Sequence, residues 1–512
     1  MALYLGIDIG TSGSRALLMD EKGVVRASAS GEHTCQAPKP LWSEQDPAEW
    51  WTAVRKAVPE ALKKAGAKAE DIKGVGLSGQ MHGLTLLDKD NKVLRPAMLW
   101  NDQRTAEQCE EITRKAGGRK ALLDLVSNPA LTGFTAPKIL WVRQHEPKFY
   151  EQARKALLPK DYVRFLLTGE YATEVSDASG TLLLDVKKRA WCGRLLELLG
   201  LDGALLPKVF ESPEVSGKVT KQASEALSGA VLPGTPVVGG GGDQAAGGVG
   251  SGVVRGGIAS VSLGTSGVVF LHADDVKTDP EGRLHTFCHA VPGKWHMMGV
   301  SLSSGGSFQW FRNALGEPET TLAKQAGRDP YDLLVEKAAK SPAGAGGLLF
   351  LPYLTGERTP HADPYAKGAF VGITPATTKS DMARAVIEGV CYSLRDSAEI
   401  FRALNLPVHE IRVTGGGAKN PFWRQTLSDV IGQATCSLEA AEGPAYGVAL
   451  LAAVGTGGFK SVEEACAATV KTCHPLAPFQ ANETVYNRYY PHWRNLYRSL
   501  KADFEKLAKA AG

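Results

Sequence analysis

The chain has 512 residues, 43% of them hydrophobic and 22% charged, with a formal net charge of +4. This is an ordinary globular composition, long enough for two large domains, and neither the small charge nor any basic run interleaved with aromatics gives a reason to invoke nucleic acid. The eight cysteines are scattered with no C-x-x-C pair, which fits reduced thiols better than disulfides or a zinc site, and with no basic leader and no apolar run long enough to span a bilayer, a cytoplasmic protein without membrane contact is expected.

From the N-terminus, Leu3, Leu5, Ile7 and Ile9 alternate with Tyr4, Gly6 and Asp8. That period of two predicts a strand with Asp8 on the face away from the apolar residues. Gly10, Thr11, Ser12 and Gly13 then make a tight turn, Arg15 to Asp20 returns as a second strand, and Glu21 to Gly23 turns into a third. Asp46, Pro47, Ala48 and Glu49 form a start like a capping box, and Trp50, Val54, Val58 and Leu62 mark one face of the helix that follows.

Midway, Thr235 to Val238 predicts a buried strand running into GGGGDQAAGG, from Gly239 to Gly248. Four adjacent glycines are costly in backbone entropy, so something there requires a bare main chain. Gln244 to Ala246 predicts the first turn of a helix, which puts Asp243 at a strand-to-helix junction, where a carboxylate fits either a helix cap or a ligand site.

Ala259 to Leu263 is again strand-like and leads into a second GTSG turn, Gly264, Thr265, Ser266 and Gly267, and then Val268 to Leu271. Two copies predict a duplicated hairpin architecture whose turns offer N–H groups and hydroxyls to a polyphosphate held between halves. Asp8 precedes the first turn and Ser262 the second, so only the first half brings a charge suited to hydrated Mg²⁺. Further on, Glu410 to Thr414 predicts a strand, Gly415, Gly416 and Gly417 a bare surface on which a flat base can lie, and Asn420 with Pro421 a helix start. No G-x-x-x-x-G-K-[ST] occurs, so a P-loop is excluded. At the C-terminus Trp493, Leu496, Leu500, Phe504 and Leu507 form an apolar stripe that predicts a helix docked on a domain.

Taken together, these features resemble the actin-like ATPase superfamily and, within it, the FGGY carbohydrate kinases. Gly133 to His145 resembles one signature of that family, and Gly368 to Ile373 continuing to Asp381 to Glu388 resembles the other. The stretches Leu41 to Pro47, Gly79 to Gly83, Leu99 to Asp102, Leu158 to Tyr162 and Pro352 to His361 resemble the bacterial xylulokinase branch. The resemblance implies an α/β fold of two duplicated actin-like, ribonuclease H-like domains with a catalytic cleft between them.

It further implies ATP and Mg²⁺ acting on a small sugar, with transfer of phosphate to D-xylulose to give the 5-phosphate. Asp243 is then the general base, Asp8 a catalytic and metal-holding residue, and Gln80, Met81 and His82 sugar contacts beside Asp243 and Gln244. Thr11, Ser12, Gly264, Thr265, Ser266, Gly415, Gly416, Gly417 and Asn420 fall to the nucleotide. Gln244 stands where the family commonly has Asn, one methylene further out, which puts strict preference for one epimer in question.

Domains are expected at 1–247 and 248–512, with the C-terminal helix free to dock on either. A homodimer is left open, and Glu357 with Arg358 has no assigned role. Two rivals stay in view: a kinase of the same family for ribulose, fuculose, gluconate or glycerol, and an actin-like or Hsp70-like ATPase switch.

Overall fold

The structure is a computed structural model describing residues 1–439 and 442–510. The N-terminal half is built on β1 (Leu3–Ile9), β2 (Gly13–Asp20), β3 (Val25–Glu32), β4 (Ile72–Gly79), β5 (Val215–Lys218), β6 (Pro236–Val238) and the short β7 (Gly241–Gly242). Its order is β5-β6-β4-β1-β2-β3, with β7 also beside β4. The C-terminal half uses β8 (Gly257–Leu263), β9 (Gly267–Ala273), β10 (His285–Cys288), β11 (Trp295–Ser301), β12 (Val408–Thr414), β13 (Thr435–Leu438) and β14 (Thr472–Leu476), in the order β10-β11-β9-β8-β12-β13-β14.

The two sheets repeat one plan. In each, the strand before a GTSG turn pairs antiparallel with the strand after it and parallel with a later one: β1 with β2 and β4, β8 with β9 and β12. Parallel partners need a covered crossover: in the first half α1 (Pro47–Ala65) lies on the connection from β1 to β4, and α2 (Thr135–His145) and α3 (Val175–Ser179) on that from β4 to β6. In the second half α5 (Gly305–Leu315), α6 (Lys379–Ala403) and α7 (Pro421–Ile431) serve this role, after α4 (Asp243–Gly250) at the junction of the halves.

The expected helix starts form, with one difference. Asp46 caps α1 by accepting from Ala48 N at 2.9 Å, but Glu49 turns away from the cap and accepts from Thr34 N at 2.7 Å, tying the helix to the chain beyond β3. Trp50, Val54 and Val58 are buried as the periodicity requires, and Leu62 is half-buried.

The halves are joined by α8 (Gly443–Gly455), which is apolar all round and lies against β1, β4 and α4. Glycines make the approach close enough. A β-carbon on Gly6 would stand 1.9 Å from Ala445 O, one on Gly76 2.0 Å from Val448 O, and one on Gly447 1.9 Å from Ala246 O. The last helix, α9 (Gln480–Ala510), docks on the C-terminal half, where Trp493 is fully buried and donates to Phe350 O at 2.7 Å. Tyr490 and Tyr497 reach Asp396 and Asp363 from the same face, whereas Leu507 at the end of the stripe is 63% exposed. Among the described residues no helix is long and apolar enough to cross a membrane.

Candidate functional site

The GGGG stretch is bare for a reason different from the one the sequence suggests. A β-carbon on Gly239 would stand 2.4 Å from Glu211 O, one on Gly240 2.0 Å from Leu77 O, and one on Gly242 3.0 Å from Met81 Cγ. Gly240 also has φ 73°, a conformation open to glycine at little cost. The glycines therefore let the strand end sink into the N-terminal half, and a ligand need not touch them. Beneath them lies a buried charge cluster that the sequence reading missed: Lys160, Asp161, Arg164, Glu174 and Asp177. Arg164 donates to Val238 O at 2.9 Å and to Gly239 O, while Ser176 Oγ, itself bonded to Glu174, accepts from Gly242 N at 3.1 Å.

This anchoring sets Asp243 at the first turn of α4, with Gly242 rather than Asp243 in the cap position and no side-chain cap. Burial pushes the Asp243 carboxyl up to about 7, helped by the negative charge of Asp8 and opposed by the backbone N–H and side-chain amide of Gln244. The sequence reading expected the helix terminus to keep this carboxylate readily ionised; desolvation outweighs the dipole here. Asp8 is likewise raised, to about 6, by burial, against the pull of Ser78 and Arg15. Its Oδ1 is buried without a hydrogen-bond partner among the described residues.

Two buried carboxylates, Asp243 raised in part by the charge of Asp8, and an orphaned Asp8 oxygen form a donor set suited to a hydrated divalent cation. Mg²⁺ is usually held by one or two carboxylates together with phosphates, and Asp8 and Asp243 are of that kind. Among the described residues no group of three His, Cys, Asp or Glu side chains could hold a metal.

Asp243 and Gln244 open onto a cavity of about 250 Å³ whose other walls are Ser260, Ser262, Thr414 and Gly415 of the C-terminal half. Gly415 has φ 85°, and a β-carbon there would meet Leu263 O at 2.7 Å and Gly264 N at 3.1 Å, so the third glycine cluster rests directly on the second GTSG turn. On the far side of that contact a second cavity, about 710 Å³, is lined by Gly264, Thr265, Gly416, Gly417, Asn420 and Trp423. It also takes in Gln309, Asp329, Tyr331 and Asp332, which the sequence reading did not anticipate. Nothing lies within 4 Å of a β-carbon on Gly416, so its face is open. Asn420 caps α7, its Oδ1 accepting from Phe422 N at 3.0 Å. The α5 start holds the second turn from behind through Gly305 N to Gly264 O at 2.8 Å and Gly306 N to Thr265 O at 3.0 Å, leaving Thr265 exposed and Ser266 half-exposed.

The first turn is placed differently. Thr11 Oγ1 accepts from Trp100 Nε1 at 3.1 Å and donates to Gln80 Oε1 at 3.3 Å, and Gln80 Nε2 donates to Gln45 Oε1 at 2.8 Å. Gln80 is thus a buried support of the turn, and the Thr11 hydroxyl is already engaged. Thr11 and Ser12 line neither of the two cavities; Ser12 is exposed and edges an outer groove with Arg15 and Thr34.

Met81 is buried between Gly242 and Gly180, packing the Asp243 loop from below. His82 has φ 70°, a strained conformation for a non-glycine residue. Its carbonyl accepts from Lys138 Nζ at 2.9 Å and Thr135 Oγ1 at 3.0 Å, and its Nδ1 donates to Gly180 O at 2.7 Å. Burial pushes the imidazole down to about 3, so it is neutral and Nε2 is left as an acceptor. Lys138, pushed down to about 7 by burial, is the residue of the Gly133 to His145 signature that does this holding.

Two mirrored α/β halves, a carboxylate pair at their junction and a nucleoside-sized cavity beside a glycine turn define the class: a two-lobed enzyme that moves a phosphoryl group across a cleft. The profile of the FGGY family of carbohydrate kinases matches the chain with its N-terminal domain over residues 3–250 and its C-terminal domain over residues 259–456. A xylulose kinase of Escherichia coli is 41% identical over 465 residues, 90% of this chain and 92% of that one. Among solved structures, the xylulose kinase from Rhodospirillum rubrum superposes with a TM-score of 0.89 at 29% identity, covering 98% of this chain and 100% of that one. The gluconate kinase from Lactobacillus acidophilus does so with a TM-score of 0.91 at 26% identity, over 99% of each chain. The chain belongs to the FGGY family of carbohydrate kinases.

Proposed function

We propose that this kinase transfers the γ-phosphate of ATP to D-xylulose, giving D-xylulose 5-phosphate and ADP, with the chain divided near residue 247 into a sugar-side and a nucleotide-side domain. The observation that carries the reading is Asp243: a carboxylate raised to about 7 at the start of α4, facing a cavity shared with the nucleotide-side glycines. A sugar hydroxyl is a weak nucleophile near neutral pH. As its oxygen bonds to the γ-phosphorus and the bridging oxygen departs with ADP, the hydroxyl proton passes to Asp243. A base whose pKa lies near the working pH is well matched to that task, worth roughly 10²- to 10⁴-fold.

His82 and Gln244 are assigned to the sugar hydroxyls, His82 accepting through Nε2; Met81 and Gln80 keep the Asp243 loop and the first turn in register. Thr265, Ser266 and the turn amides of both hairpins are assigned to phosphate oxygens, and Gly415, Gly416, Gly417 and Asn420 to the nucleoside. Asp8 would hold Mg²⁺, which when bound neutralises charge on the phosphates.

The choice of sugar rests on sequence more than on fold. The gluconate kinase shares the architecture as closely as the xylulose kinase does, while the 41% identical relative is a xylulose kinase. The test is ADP release with Mg²⁺-ATP, first without sugar and then with D-xylulose, D-ribulose, L-ribulose, glycerol and gluconate in turn. Stimulation by D-xylulose above the others is expected; a larger response to another polyol moves the substrate, and hydrolysis indifferent to sugar overturns the kinase reading.

A further inference from the structure

Glu357 and Arg358 lie in a stretch that resembles the xylulokinase branch, yet nothing above gives them a task. Glu357 is buried, and its carboxylate accepts from Ser301 Oγ at 2.8 Å, Leu302 N at 2.9 Å and Arg358 N at 2.7 Å. Thr359 N donates to Val300 O at 2.9 Å. The loop is therefore pinned to β11 of the C-terminal half. Its arginine nonetheless reaches the N-terminal half: a β-carbon on Gly133, just before α2, would stand 3.8 Å from Arg358 Nη2.

A guanidinium carries five N–H donors and no acceptor. The other enclosed arginines spend theirs inside the protein, Arg164 on Val238 O, Arg384 on Glu388 and Arg412 on Ser251 O. Arg358 differs. It is half-buried, and among the described residues no carboxylate, carbonyl or hydroxyl bonds its guanidinium. The acid next to it in sequence, Glu357, accepts from the three donors above and not from this guanidinium.

Its position along the cleft narrows what it binds. Arg358 reaches Gly133, and the next residue, Phe134, packs its ring against His82 with centroids 4.8 Å apart and against His285 at 5.6 Å. The guanidinium is therefore on the His82 side of the site, and with the phosphorylated hydroxyl assigned to Asp243 it serves the other end of the sugar. That end of a ketose presents a C1 hydroxyl and a C2 carbonyl on neighbouring carbons, two oxygens that match the paired donors of one guanidinium edge.

We propose that Arg358 binds the C1 hydroxyl and C2 carbonyl oxygens of the ketose, a specificity-determining contact delivered by the C-terminal half to a sugar seated on the N-terminal half. The inference rests on the kinase reading above and deepens it.

The experiment compares D-xylulose with xylitol, which differs only in carrying a hydroxyl in place of the C2 carbonyl, in wild type, Arg358→Met and Arg358→Lys. Arg358→Met should lower kcat/KM for D-xylulose roughly 10²-fold, chiefly through KM, with KM for ATP unchanged and a smaller loss with xylitol, which keeps the C1 hydroxyl but lacks the carbonyl, so that the preference for the ketose over the polyol falls. Arg358→Lys, which keeps the charge but loses the fork, should fall between. ATP binding by each variant reports that the fold is intact. Retention of the ketose preference in Arg358→Met overturns the inference, as does equal loss with both sugars, or a wild type that gluconate stimulates more than D-xylulose. A wild type that no sugar stimulates overturns the kinase reading itself, and is told apart by requiring no variant.

Discussion

Replacing Asp243 with Asn should abolish most activity and at the same time stabilise the ligand-free protein at alkaline pH. The carboxyl is raised from 3.8 to about 7 by burial and by the charge of Asp8, about three pK units, and at 1.36 kcal/mol per unit ionising it in the folded protein costs up to about 4 kcal/mol. Asp243 is half-buried rather than fully enclosed, so solvent reduces this to about 2 kcal/mol.

The sign follows from the raised value. Below pH 3.8 the group is protonated folded and unfolded and costs nothing; stability drains away as pH rises from about 4 and is fully lost above about 7. Asp243→Asn should therefore melt a few degrees above wild type at pH 8 without Mg²⁺ or nucleotide, and the gain should shrink to nothing near pH 4. Thermal unfolding across pH 4–8 measures it, and sugar-dependent ADP release should fall roughly 10²- to 10⁴-fold. A variant no more stable than wild type at pH 8, or one that keeps its turnover, refutes the reasoning.

The junction of the halves offers a paired test. Gly447→Ala forces a methyl to within 1.9 Å of Ala246 O and should cost about 3 kcal/mol or more in denaturant unfolding, whereas Gly416→Ala meets nothing within 4 Å and should leave stability unchanged while raising KM for ATP. In the last helix, Trp493→Ala should cost about 3–5 kcal/mol and Leu507→Ala less than about 0.5 kcal/mol, the first being fully buried and the second 63% exposed. Because burial holds His82 near 3, it stays neutral from pH 5 to 9, so His82→Gln should raise KM for the sugar without adding or removing a limb of the pH–rate profile; loss of the acidic limb in that variant would transfer the base role from Asp243 to His82.

Much of this molecule is written in local pattern. The period-two strand ending in Asp8, the two GTSG turns, the GGGD junction, the Asn420 cap and the amphipathic faces of α1 and α9 each depend on residues within about ten positions of one another, and a strand, turn or cap is decided over that range. The resemblance to a sugar kinase family was legible for the same reason, since its signatures are contiguous. What the chain order conceals are effects of enclosure and of distant contact. Desolvation by both halves, with Asp8 beside it, raises Asp243, where its helix start alone would lower it. Gly240 and Gly242 are bare because Leu77 of β4 and Met81 press on them from about 160 residues away, and Arg358 crosses to Gly133 only because Glu357 is clamped to β11. Helix α8 belongs by sequence to the second half and by contact largely to the first sheet. Charge, burial and reach at the site are properties of the assembled halves, and only tertiary structure decides them, because each arises from atoms that the sequence keeps hundreds of residues apart.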